Sequence, residues 1–181
     1  PRFHGAARRH GIRPIVGAEL TFPDGSVLPV LVRNRTGYRN LSRLITGAKL
    51  RGTKTEAPVT WEELPAFAEG LVCLTGDGEG ALHRRIREGD AEGAGQHLKR
   101  LQAIFGEDGV FVEIQRHRDR GETALNDALV TLARSARLPL LATGGVLYAE
   151  RPQRRALDLM TCIRHHTHLD AAGTLLSRNS E

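Results

Sequence analysis

The run Leu71-Val72-Cys73-Leu74-Thr75 passes into Gly76-Asp77-Gly78-Glu79-Gly80 and then into Ala81-Leu82-His83-Arg84-Arg85-Ile86-Arg87-Glu88. A short apolar run, a glycine-rich turn and a helix-forming segment together read as one strand–turn–helix unit. The same order recurs downstream. Val110 to Gln115 reads as a strand, residues 116–121 as a charged loop, and Leu125, Leu129 and Leu132 as the apolar stripe of an amphipathic helix. Pro139 to Thr143 reads as a further strand ending at Gly144-Gly145. Pro152 suits the first turn of a helix that carries Ala156, Leu157, Met160 and Ile163 on one face. Strands alternating with helices imply an α/β fold with a largely parallel sheet, either a barrel or a doubly wound sheet.

Working upstream, Pro1 to His10 reads as a helix end stopped by Gly11. Pro14 to Phe22 and Val27 to Val32 read as strands joined by the turn Pro23-Asp24-Gly25-Ser26, a hairpin that breaks the alternation. Tyr38, Leu41, Leu44 and Ile45 recur at helical spacing, and residues 50–59 read as an exposed loop. Thr60 and Glu63 have capping-box spacing, opening a short helix with Trp61 and Leu64. Ala94, Leu98, Leu101 and Phe105 form the stripe of the helix before Val110.

At 181 residues the chain fits one domain, or one domain plus a short tail. Hydrophobic residues at 40% and charged residues at 26% exclude disorder throughout. No apolar run approaches the roughly 18 to 20 residues of a membrane span. No secretory signal is visible, so a cytoplasmic location without a membrane partner is expected. The single methionine is Met160, so the chain is expected to be a piece of a longer protein. Cys73 and Cys162 lie in separate apolar segments without metal-ligand spacing, and read as buried thiols. The 26 basic against 21 acidic residues leave a formal charge of +5, which permits nucleic-acid contact without demonstrating it. Arginine dominates the basic set, with lysine only at 49, 54 and 99.

In α/β folds the chemistry sits beyond the carboxyl ends of the strands. Glu19, Asp77, His117 and Gly144 to Tyr148 are therefore the positions to weigh. Gly78-Glu79-Gly80 has the outline of a phosphate-cradling turn, but lacks the full dinucleotide fingerprint and the lysine of a P-loop. A simple tight turn is the plainer reading. Glu113, Gln115 and His117 alternate, so all three share one face of a strand end, and His with carboxylate suits Zn, Mn or Fe. A surface histidine is the competing reading for His117. Glu19 is a carboxylate within the apolar run Ile15 to Leu20, which requires solvent, a pairing partner or a metal. His165, His166 and His168 form the densest histidine cluster, yet neighbours on a regular element point apart.

These residues carry a family resemblance. The stretches Ala6 to Glu19, Thr36 to Leu41, Glu69 to Gly76, Ile104 to Asp108, Glu113 to His117 and Pro139 to Thr143 resemble, in family order, the PHP domain at the front of bacterial C-family DNA polymerases. Leu159 to Glu181 looks most like the error-prone branch. The resemblance implies a distorted (β/α) barrel, incomplete at its N-terminus. Residues 1–160 would form the PHP-like domain, and 161–181 a connecting segment toward a polymerase palm. It also implies metal ligands at Glu19 and His117, with Asp77 at a position that often carries cysteine. The family's late Asp-x-His pair falls on Gly145 and Leu147, whose side chains cannot bind metal. The expected metals are Zn or Mn in a degenerate site, with Mg for a palm outside the chain. The expected partners are DNA and other replication or translesion subunits. The leading expectation is thus a non-catalytic scaffold within an error-prone DNA-directed DNA polymerase. The rivals are a metal-dependent phosphoesterase or 3′–5′ exonuclease, and a binding module acting through the loop 50–59.

Overall fold

The computed structural model describes residues 2–53 and 56–176. Expectations that fall on Pro1, Lys54, Thr55 and 177–181 lie outside the described residues. Among the described residues, five strands form one sheet: β1 (Gly17–Thr21), β2 (Val27–Val32), β3 (Leu71–Leu74), β4 (Val110–Ile114) and β5 (Leu140–Ala142), in spatial order 1-2-3-4-5. The helices are α1 (Arg2–Arg9), α2 (Arg35–Arg51), α3 (Ala81–Arg87), α4 (Ala91–Phe105), α5 (Glu122–Ala136), α6 (Arg154–Arg164) and α7 (Leu169–Ala172).

The fold class stands, with one correction. The sheet is half antiparallel, not largely parallel: β1–β2 and β2–β3 are antiparallel, β3–β4 and β4–β5 parallel. The hairpin accounts for the first pair. Its turn is held by Asp24, whose Oδ1 accepts from the Ser26 amide at 2.9 Å and its hydroxyl at 2.6 Å. The second pair arises because β3 enters beside β2 from the opposite direction, with Val30 opposite Cys73. The sheet is also unclosed, in keeping with an incomplete barrel. Only β2 to β4 have strands on both sides, so the described sheet is an open arc rather than a closed barrel.

The core follows the predicted stripes. Leu41, Leu44 and Ala48 turn α2 toward β2 and β3, while Ala94, Leu98 and Leu101 turn α4 toward β3 and β4. Leu129 and Ala133 bring α5 against β4. Cys73 and Cys162 are buried free thiols, as expected, and burial pushes the Cys73 thiol far up. The segment 50–59 differs from its reading. Arg51 still belongs to α2, Val59 is buried, and the Val59 amide donates to the Thr21 carbonyl at 2.9 Å, covering part of the β1 edge. Thr60 and Glu63 make the reciprocal capping-box bonds, but only a single 3-10 turn follows, Leu64–Phe67, with Pro65 in its first turn. The apolar face of α6 is open, with Met160 and Ile163 exposed, and Cys162 alone is buried on that helix.

Candidate functional site

A cavity of about 650 Å³ opens at the carboxyl ends of β3, β4 and β5. The three residues marked in the sequence, Glu19, Asp77 and His117, all line it, and so do Gly145 and Leu147. Sheet order explains the gathering. Parallel β3, β4 and β5 end at the same side, and Glu19 lies on β1 opposite Pro29, whose ring joins the wall.

Each side chain is held by local chemistry. Asp77 sits in the turn after β3, where its Oδ1 accepts from the Glu79 amide at 3.0 Å. The Val27 amide donates to the Glu79 carbonyl at 3.1 Å, fastening the turn to β2. Gly80 is required there, because a Cβ would stand 2.5 Å from the Thr75 carbonyl oxygen. The Glu79 and Gly80 amides are thus both engaged by Asp77, as in a tight turn.

The alternating trio Glu113, Gln115 and His117 does share one face, and Gln115 ties it together. Its Nε2 donates to Glu113 Oε1 at 3.1 Å and to Thr143 Oγ1 at 3.1 Å, and its Oε1 lies 2.9 Å from His117 Nε2. Thr143 also donates its hydroxyl to Glu113 Oε1. Glu113 Oε2 is buried and has no hydrogen-bond partner among the described residues. The loop beyond is clamped by Glu122 in the first turn of α5, which accepts from the amides of His117 at 2.7 Å and Arg118 at 2.8 Å. Burial by itself would raise the Glu122 carboxyl, but these two amides, together with the nearby His117 side chain and the Asp119 backbone, outweigh it and hold it below the usual carboxylate range.

Two participants were not marked in the sequence. Thr143 reaches the site only because β5 pairs with β4 in a register that sets Glu113 against Leu141. His83, on α3, is buried with neither ring nitrogen partnered among the described residues. Burial lowers its pKa, Arg87 adds to that, and Asp77 and Glu113 oppose it. No spacing rule in the sequence points to either residue.

The donor set does not fit a catalytic metal centre. Among the described residues no three His, Cys, Asp or Glu side chains are grouped to hold a metal ion. His117 Nε2 faces the Gln115 amide, and Asp77 holds its own turn. A Cβ on Gly145 would come within 3.0 Å of Gln115 Oε1, so the Gln115 amide lies directly against Gly145. The cluster His165, His166 and His168 lies exposed in and after the end of α6 and forms no such group.

Comparison with known proteins supplies the affiliation. The PHP domain profile matches residues 1–117. The chain is 33% identical over 175 residues to DNA polymerase III subunit alpha of Treponema pallidum, covering 89% of this chain and 15% of that protein. It is 32% identical over 182 residues to error-prone DNA polymerase 1 of Agrobacterium fabrum, covering 100% of this chain and 16% of that protein. With the error-prone DNA polymerase of Symbiobacterium thermophilum it shares 34% over 185 residues, covering 93% and 17%. The chain thus spans about a sixth of the length of these curated relatives.

Proposed function

This chain belongs to the PHP domain family, and on that premise we propose that it is the non-catalytic PHP scaffold of an error-prone, DNA-directed DNA polymerase. In this reading the parent polymerase transfers deoxynucleotides to a primer end on a DNA template, with Mg in a palm outside this chain. It works in the cytoplasm with other replication or translesion subunits. The names of the relatives support the polymerase, and two of the three relatives described above carry the error-prone name.

One observation carries the scaffold role: the cavity wall is closed by Gln115, which spans from Glu113 and Thr143 to His117 and lies over Gly145. Glu19, His117 and Asp77 are then the remnant of the family's ligand set, engaged with the protein's own amides and side chains or with solvent. Phosphoester hydrolysis through metal-generated hydroxide needs several converging donors. Leu147 and Gly145 contribute none.

Calorimetric titration with Mn and with Zn tests this, beside a Glu19→Ala, His117→Ala double variant. The expected result is weak binding, no tighter than roughly millimolar, unchanged in the double variant, with no hydrolysis of a model phosphodiester. Micromolar binding lost in the double variant, with metal-dependent hydrolysis, would overturn the scaffold role and establish the phosphoesterase.

A further inference from the structure

The solvent face of α2 carries a feature that the polymerase affiliation does not use. Its sequence, Arg35 to Arg51, holds five basic residues and no acidic one. Arg35, Arg39 and Arg43 follow one another at four-residue spacing, so they stand in a row about 6 Å apart along the helix axis. All three are exposed, and none has a hydrogen bond or ion pair among the described residues. By contrast, Arg51 at the end of the helix is paired with Glu63 at 2.6 Å. The row borders a shallow groove of about 960 Å³ shared with Tyr38, which is 55% exposed, and with Leu50.

Helix stability does not explain this arrangement. Like charges at four-residue spacing repel, and a cation in the first turn opposes the helix dipole. The other two long helices follow the stabilising rule, with Glu92 in the first turn of α4 and Glu122 in that of α5. An arginine-rich composition does not explain it either, since 21 acidic residues are available elsewhere in the chain.

We infer that this face of α2 binds the backbone of single-stranded nucleic acid, with Arg35, Arg39 and Arg43 on successive phosphates and Tyr38 stacking a base. The axial spacing of the guanidinium stems is comparable to that of neighbouring phosphates along one strand. Arginine presents a planar fork of donors suited to phosphate oxygens. An exposed aromatic ring among cations is the usual platform for an unpaired base, which a duplex does not offer. The opposite face, with Leu41, Leu44 and Ala48, anchors the helix in the core, so the row is held on a rigid support.

The test is fluorescence anisotropy with a labelled oligothymidylate of about 20 nucleotides, titrated at several salt concentrations. The chain is compared with a variant carrying R35Q, R39Q and R43Q, and with a variant of equal charge change carrying R8Q, R9Q and R13Q. The α2 variant is expected to bind roughly 100-fold more weakly at low salt, with its log–log salt slope reduced by about 2. The control variant is expected to keep most of the affinity. Y38A is expected to bind several-fold more weakly with the salt slope unchanged. Far-UV circular dichroism of each variant checks that the helix content of the chain is unchanged. Equal losses in the two arginine variants would reduce the effect to net charge and overturn the inference. Tighter binding to a duplex of the same length would overturn the single-strand assignment. Because no metal and no hydrolysis enters the readout, its failure leaves the scaffold reading untouched.

Discussion

Glycine in a helix interior ordinarily costs stability, so replacing Gly37 in the first turn of α2 with alanine should gain about 1 kcal/mol. The tertiary structure reverses that sign. A Cβ at Gly37 would stand 1.9 Å from the Gly70 carbonyl oxygen and 2.5 Å from its carbon, both backbone atoms that no rotamer change can move. Helix α2 would have to withdraw from the turn that leads into β3. Such overpacking costs about 1 to 3 kcal/mol. Withdrawal also strains two hydrogen bonds: the Gly37 amide to the Asn34 cap at 3.0 Å, and the Arg33 amide to the Gly70 carbonyl at 2.9 Å. Each contributes about 1 kcal/mol. After the propensity gain, Gly37→Ala is expected to destabilise by about 2 to 4 kcal/mol, lowering the thermal midpoint by roughly 5 to 15 °C for a chain of this size. Gly47 on the same helix is the matched control. A Cβ there meets only the Arg51 guanidinium, at an ordinary contact distance of 3.4 Å, so Gly47→Ala is expected to stabilise by up to about 1 kcal/mol. Urea unfolding followed by circular dichroism measures both. A Gly37→Ala midpoint at or above that of the parent chain would refute the packing argument, because helix propensity would then have decided both sites.

Three further outcomes are expected. His97 is buried edge-on against Trp61, and burial, with Arg85 and Arg100 nearby, pushes its pKa down to about 4. The unfolded chain binds a proton near pH 6.5 and the folded chain only near pH 4, so stability is full above pH 6.5 and falls as the pH drops between those values, by roughly 3 kcal/mol. His97→Gln should flatten that slope in urea midpoints measured against pH, and an unchanged slope would place the titration elsewhere. In the core, Leu101→Ala, at a fully buried position on α4, should cost about 2 to 5 kcal/mol. Met160→Ala on the open face of α6 should stay within about 0.5 kcal/mol, and a larger loss would mean that this face is covered in solution.

The elements were legible because their signals are local. The stripe Ala94, Leu98, Leu101 and Phe105 specifies a buried helix face whatever lies opposite, and the glycine-rich turn after Thr75 allows no continuation of β3. Boundaries shifted where a neighbour intervened. The strand read from Pro14 begins at Gly17, where pairing with Leu31 begins, and the segment 50–59 is partly buried because β1 needs cover on its edge. The direction of β3 beside β2 was not legible. Pairing sense depends on the path of the chain between strands, and a helical connection serves either direction.

The candidate site divides the same way. By itself the sequence determined which chemistry is present: a carboxylate at Glu19, an alternating trio at Glu113, Gln115 and His117, and no ligand at Gly145 or Leu147. These follow from residue identity and from the two-residue period of a strand. Only the tertiary structure decided what those groups do to one another. The parallel register of β5 beside β4 brings Thr143 to Glu113, and places Gln115 over Gly145 and within reach of His117. Hydrogen bonds depend on distances of a few tenths of an ångström between residues almost 30 positions apart. No periodicity along a chain encodes such distances. They are set by how strands pair and helices pack.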